Sequence, residues 1–272
     1  MLRITRRTGS ATNERAIIVS THDVMKKFAV LLCALIVHAS YAVAEEEKNN
    51  EVSSDPVADT DDTWKYRVRI GKLERQFSTS GDDQYGEWSG FILVGKDLNT
   101  FWLTTKGSTQ DGDADSAEIR LFYSRTIKPY IGVQLGWRRD LKPEPERDWL
   151  GFGLLGVLPY KIGADASFFM GESSRLAARL EIAYQHWFTQ KLTLTPDLEA
   201  NFYSKDDPDR SIGSGLADLD LGLRLRYWIT KRISPYTGIT WKGNFGNTAD
   251  MLESKGEDTA DLRIMLGVTL RI

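Results

Sequence analysis

The stretch LADLDLGLRLRYWI, residues 216–229, alternates without a break. Ala217, Leu219, Leu221, Leu223, Leu225, Tyr227 and Ile229 form one row, and Asp218, Asp220, Gly222, Arg224, Arg226 and Trp228 form the other. A period of two is the period of a β-strand, whose successive side chains point to opposite faces. At about 3.3 Å per residue the strand would exceed 40 Å, against about 5–6 residues for an ordinary strand. One face is apolar and the other carries two acids and two bases. Two surroundings suit such a strand: the inside of a soluble sandwich, or the wall of a barrel with leucines in lipid and charges in the lumen.

The N-terminal region separates these. MKKFAVLLCALIVHASYAVA, residues 25–44, has Lys26 and Lys27, an apolar run from Phe28 to Val37, and Ala42-Val43-Ala44 as a small-x-small cleavage site. That is the pattern of a secretory signal peptide. Residues 1–24 precede it awkwardly, so Met25 is the expected start and residues 1–44 the segment removed. Cys33, His22 and His38 leave with it. Residues 45–62, EEEKNNEVSSDPVADTDD, hold eight acids and one lysine without an aromatic, the composition of a disordered acidic tail.

From residue 63 the chain reads as a series of alternating segments: about 64–77, 84–95, 98–107, 117–127, 130–141, 148–158, 160–171, 175–188, 191–203, 216–229, 233–244 and 260–272. Twelve is an even number, as single-chain bacterial barrels require. Tight connections (KDLN, IKPY, PYK, FTQK, TKRIS) follow the even strands. Longer polar ones follow most odd strands, including GSTQDGDADSA, DLKPEPER, SKDDPDRSIGSG and GNTADMLESKGEDTA. GESS is the short exception. Short periplasmic turns opposite longer outer loops mark an outer-membrane barrel. Phe101, Trp102, Tyr130, Tyr160, Trp187, Phe188, Tyr227, Trp228 and Tyr236 lie beside the short turns, where a membrane interface collects aromatic rings. The fold expected for 63–272 is an all-β, antiparallel, up-and-down transmembrane barrel of about 12 strands in a Gram-negative outer membrane, surrounded by lipid.

The polar rows then face the lumen. They include Glu118, Arg120, Arg179, Glu181, Asp197, Glu199, Asp218, Asp220, Arg224 and Arg226. Charges of both signs there will pair, because an unpaired charge away from bulk water is costly. The pairs act either as a brace or as a polar path.

Longer stretches also resemble a known family. DDPDRSIGSGLADLDLGLRLRYWITKRISPYTGITW at 206–241 is followed by FGNTAD at 245–250. RLEIAY at 179–184, TQKLTLTPDLEANFYSKDD at 189–207, GKDLNTFWLTTKG at 95–107 and YSRTIKPYIGVQLGWRRDLKP at 123–143 keep the same order. Residues 64–272 resemble the C-terminal domain of the copper resistance protein B family (CopB) of outer-membrane barrels. The resemblance implies copper binding, tolerance or export, with copper ions and periplasmic copper-handling proteins as partners. Members often carry a Met- and His-rich region ahead of the barrel, and thioether and imidazole are ligands that copper selects. Here that region is the acidic tail. After the signal peptide only His186, Met170, Met251 and Met265 remain. His186 shares the outward row with Tyr184 and Phe188 near a short turn, which suits an interfacial residue. Met265 on an inward row, Met251 in a long loop, and Asp218 and Asp220 are the metal candidates.

Three functions are open to such a chain. A copper-tolerance barrel would bind copper, sequester it or pass it outward through the charged lumen. A passive pore or structural barrel would bind none. A lipid hydrolase would need a nucleophile beside a base, but His186 and Ser173-Ser174 fall at opposite ends of one strand, so no enzyme is expected. With a formal net charge of −3 and no basic stripe, nucleic acid is not an expected partner.

Overall fold

The computed structural model describes residues 64–96 and 98–272. The expected signal peptide (1–44) and acidic tail (45–62) lie outside the described residues. The strands are β1 Lys65–Ser78, β2 Gln84–Gly95, β3 Asn99–Gln110, β4 Asp113–Lys128, β5 Ile131–Lys142, β6 Arg147–Leu158, β7 Ile162–Gly171 and β8 Leu176–Tyr184. After Gln185, β8 continues as His186–Trp187, and β9 Leu192–Tyr203, β10 Gly215–Tyr227, β11 Ile233–Asn244 and β12 Ala260–Arg271 follow. Each strand pairs antiparallel with its chain neighbour, and β12 pairs with β1 through Arg69↔Arg271 and Gln76↔Met265. The sheet is therefore a closed twelve-stranded barrel. Closure leaves no unpaired strand edge, which a bilayer would not tolerate.

Along β10, Leu221, Leu223, Leu225 and Tyr227 are exposed on the outer wall, while Arg224 and Arg226 are buried inside. Leu150, Phe152, Leu154, Phe168, Met170, Ile264 and Leu266 extend the same apolar exterior. Gln76, Thr193, Ser234 and Thr269 are buried within. An apolar exterior around a polar interior is the arrangement lipid selects, and no helix of the described residues is long and apolar enough to cross a membrane. Ala217 departs from its row. It is buried at the outer end, where Phe245 donates its N–H to the Ala217 carbonyl at 3.0 Å. Leu223→Arg should cost about 2–4 kcal/mol, the range for a cation near the bilayer midplane. Leu223→Ala should cost less, and equal unfolding midpoints of the two refolded variants in lipid vesicles would refute the lipid-facing assignment.

Several expectations are corrected. GSTQDGDADSA is no long loop, because β3 and β4 run through it and meet at a two-residue turn, Asp111-Gly112, with φ of 49° and 97°. A positive φ at both centres is the hairpin geometry that Asp-Gly favours. Trp228 and Tyr236 are buried inside rather than at the lipid interface, and Trp102 packs on an inner-wall cluster of Phe122, Trp149, Phe169 and Ala177. Their positions on the inward rows outweigh their ring chemistry. Tyr130, Tyr160, Trp187, Phe188 and Tyr227 do lie exposed near the short-turn rim. The polar segment after β11 contains a helix, α1 Gly246–Ser254.

Candidate functional site in the barrel lumen

The lumen wall begins with a slip in β1. The register breaks between Ile70 and Lys72, so one residue is left over at Gly71. Such a bulge reverses the inward row. Arg69 points inward before it, and Lys72, Glu74 and Gln76 after it.

Two ion-pair networks fill the middle of the barrel. In the first, Glu118 accepts Arg179 Nη1 at 2.7 Å and Nη2 at 2.9 Å. Arg120 pairs with the same carboxylate at 2.6 Å and Arg138 at 3.3 Å. Lys106 pairs with Glu199, and Arg120 reaches Glu181 at 3.4 Å. Asn201 accepts from Arg179 Nε at 2.6 Å and donates to Asp218 at 2.7 Å. In the second network, Arg224 bridges Glu74 and Asp197, and Tyr236 donates to Glu74 at 2.9 Å. Gln76 donates to Glu74 and Glu87, which ties the carboxylates together. Glu87 also takes Lys72 at 2.6 Å and Lys242 at 3.1 Å, and Lys242 reaches Asp220 at 3.3 Å. Gly222 leaves the room in which the Arg224–Asp197 pair sits, since a Cβ there would meet both side chains.

Loop residues reach across the outer end. Arg210, in the turn Pro208–Arg210, reaches inward to Asp140 at 3.1 Å. Asp140 also takes Arg138 at 2.6 Å and the Trp149 indole N–H at 3.0 Å. Asp207 ties Arg147 (3.1 Å) to Arg175 (2.6 Å). Thr248 of α1 accepts the Gly213 N–H at 2.8 Å. Asn247 and Ser214 donate to Asp206 and hold its carboxyl below the ordinary value.

On either side of the mid-barrel charges lies open space. An outer chamber of about 200 Å³ is bordered by Glu87, Glu118, Asp140, Glu199, Asp218 and Asp220, with Lys106, Arg138, Arg179, Arg210 and Lys242 among them. A vestibule of about 770 Å³ at the short-turn end is bordered by Arg69, Arg224, Arg226, Asp165 and Thr195.

The structure thus brings Glu118, Arg120, Arg179, Glu181 and Glu199 into one network, links Asn201 to Asp218, and sets Asp197 with Arg224. Arg226 stands apart toward the short turns. The metal candidates do not converge. Met265 is wholly buried in the wall beside Gln76 and Gly238. Met251 lies on α1, in the outer loop. Met170 is exposed on the lipid side. His186 is exposed with Tyr184 and Phe188, the latter ring 4.8 Å away. Among the described residues no group of three or more His, Cys, Asp or Glu is arranged to hold a metal ion. Lys72, Glu74, Glu87, Lys106, Arg138, Asp140 and Lys242 were absent from the sequence-derived set. Strict alternation from Leu135 on β5 or Ile239 on β11 would have placed Arg138 and Lys242 inward, whereas the β1 residues needed the bulge.

The chain matches the family described as copper resistance protein B precursor (CopB) over residues 64–271. It is 37% identical over 199 residues to a copper resistance protein B homolog of Pseudomonas syringae pv. tomato, covering 73% of this chain and 67% of that one. It is 32% identical over 210 residues to copper resistance protein B of Escherichia coli, covering 77% and 70%. In structure it is similar to the NanC porin, with a TM-score of 0.54 at 11% identity over 75% of this chain and all of that one. That likeness concerns the barrel fold and fits an outer-membrane location. With the lumen, the lipid-facing rows and the matched sequence in agreement, the chain belongs to the copper resistance protein B family of outer-membrane barrels.

Proposed function

We propose that this barrel serves copper tolerance by handling copper as cargo in the outer chamber of its lumen, with Asp218 and Asp220 receiving the ion. A role in copper resistance follows from the family; binding at these two residues is the finer step. One observation carries it. Among the described residues Asp218 has no cationic partner and is held only by the Asn201 amide, while Asp220 shares Lys242 with Glu87. Two neighbouring carboxylates short of positive charge attract a cation. Their oxygen ligands suit copper(II) better than copper(I), which selects thioether or thiolate. The chamber holds no built cage, so copper is read as a transient cargo delivered by a periplasmic copper-handling protein, not as a resident cofactor.

The test is metal analysis of the refolded full chain after copper(II) exposure and buffer exchange. Wild type should retain copper, and Asp218→Asn/Asp220→Asn should lose most of it. Equal retention would overturn the assignment. A passive or structural barrel is the second reading, favoured by the charge pairs between vestibule and chamber. Copper-insensitive conductance together with unchanged copper tolerance on deletion would support it. The reading is non-enzymatic: His186 sits near the short-turn rim, while Ser173 and Ser174 occupy the β7–β8 turn at the other end.

A further inference from the structure

The basic residues at the short-turn end are arranged unlike those of the mid-barrel. Arg69 and Arg271 are direct cross-strand partners on β1 and β12. Like charges placed opposite each other on a sheet repel. Arg226 lies within electrostatic reach of Arg69 and Arg271, and Arg67 adds a fourth charge at the rim. Arg226 is 5% exposed. Among the described residues none of these four arginines has a carboxylate within ion-pair distance. The nearby acids are taken: Glu74 and Asp197 belong to Arg224. Asp165 and Glu181 also border the vestibule, but on β7 and β8.

Three buried polar atoms here are left without a partner: Arg69 Nε, Arg226 Nε and Thr195 Oγ1. All three residues border the vestibule of about 770 Å³. Arg226 is stacked 5.0 Å from the Tyr236 ring and Arg271 4.1 Å from the Trp228 ring, so aromatic faces orient both guanidinium groups. Buried cations without counter-charge are costly, and a barrel that spends so many pairs elsewhere has no need to leave these unmatched. A guanidinium fork fits a carboxylate or phosphate through two parallel hydrogen bonds.

We propose that Arg69 and Arg226, with Thr195, form a binding site at the periplasmic mouth for a small soluble anion bearing carboxylate or phosphate groups, with Arg271 adding positive charge opposite Arg69. The vestibule has the volume of an ordinary small-molecule site, about 300–1,000 Å³. The barrel wall separates it from the bilayer, so the anion comes from the periplasmic solution and not from a lipid headgroup. The site is independent of copper binding at Asp218 and Asp220.

The test is calorimetric titration of the refolded full chain, at low ionic strength, with inorganic phosphate and with citrate. Saturable binding of at least one is expected. Arg69→Gln and Arg226→Gln should each weaken it by about tenfold or more, the scale of one lost charge-assisted hydrogen bond. Arg226→Lys keeps the charge without the fork and should weaken it less, which guards against a variant that fails to fold. Arg139→Gln, whose partner is Asp148 near the outer rim, should bind as wild type does. No saturable binding of either anion, or unchanged affinity in the folded Arg69 and Arg226 variants, would overturn the proposal. Displacement of the bound anion by added anionic phospholipid would overturn the choice of a soluble ligand.

Discussion

Glu118→Ala is expected to destabilise the refolded barrel by about 3–5 kcal/mol, the range for removing one partner of a buried charge network. The expectation follows from how many cations one carboxylate serves. Arg179 holds both its oxygens, and Arg120 and Arg138 share them. Arg138 retains Asp140, Arg120 retains Glu181 at 3.4 Å, and Arg179 retains Glu199 at 3.4 Å, Glu181 at 3.8 Å and the Asn201 amide oxygen. Removing Glu118 therefore leaves Arg120 and Arg179 with ion pairs of 3.4 Å or longer in place of pairs at 2.6 and 2.7 Å. Glu118→Gln keeps the shape and two hydrogen-bonding atoms, so it should lose less than Glu118→Ala. Urea unfolding in lipid vesicles, followed by tryptophan fluorescence, measures both. A loss below about 1 kcal/mol for Glu118→Ala, the size of an exposed ion pair, would mean that lumen water already screens these charges.

How much of this was legible in the sequence depends on what each feature needs. The Leu219–Tyr227 row needs only the period of a strand and a solvent, so its lipid face was readable directly. The inward placement of Asp218, Asp220, Arg224 and Arg226 follows from the same period. Their partners do not. Glu74 meets Arg224 across 150 positions of chain, and it faces inward only because β1 slips at Gly71. No local pattern announces that slip. Asp111-Gly112 was readable, since Asp-Gly is a hairpin signal, but the surrounding acids and serines gave the segment the composition of a loop. Arg210 shows the opposite limit. It lies in a polar loop with no periodicity, and only the closed barrel brings it beside Asp140. The proposed copper site was least legible, because what singles out Asp218 is that its carboxylate is held by the Asn201 amide and by no directly paired cation, and that depends on how the closed barrel arranges its neighbours.

Deleting a whole pair should act differently from deleting half of one. Lys106→Ala/Glu199→Ala removes a cation and an anion together, so the net charge of the wall is unchanged. Replacing both members of a buried pair is often close to neutral in stability, unlike stranding one of them. Arg179 keeps its two-pronged contact with Glu118, so the variant should fold. Its effect should fall on passage. Glu199 borders both the vestibule and the outer chamber, and Lys106 reaches across to it from β3. Truncating both side chains joins the two spaces and removes a charged constriction, the kind of feature that sets flow through a pore. Single-channel conductance in planar bilayers should rise several-fold over wild type, while unfolding in urea shifts less than for Glu118→Ala. Unchanged conductance in a folded double variant would place the limiting barrier elsewhere, and the Arg210–Asp140 contact at the outer mouth is where it would then lie. Arg210→Ala should in that case open the pore alone, and should add nothing if the Lys106–Glu199 pair is the barrier.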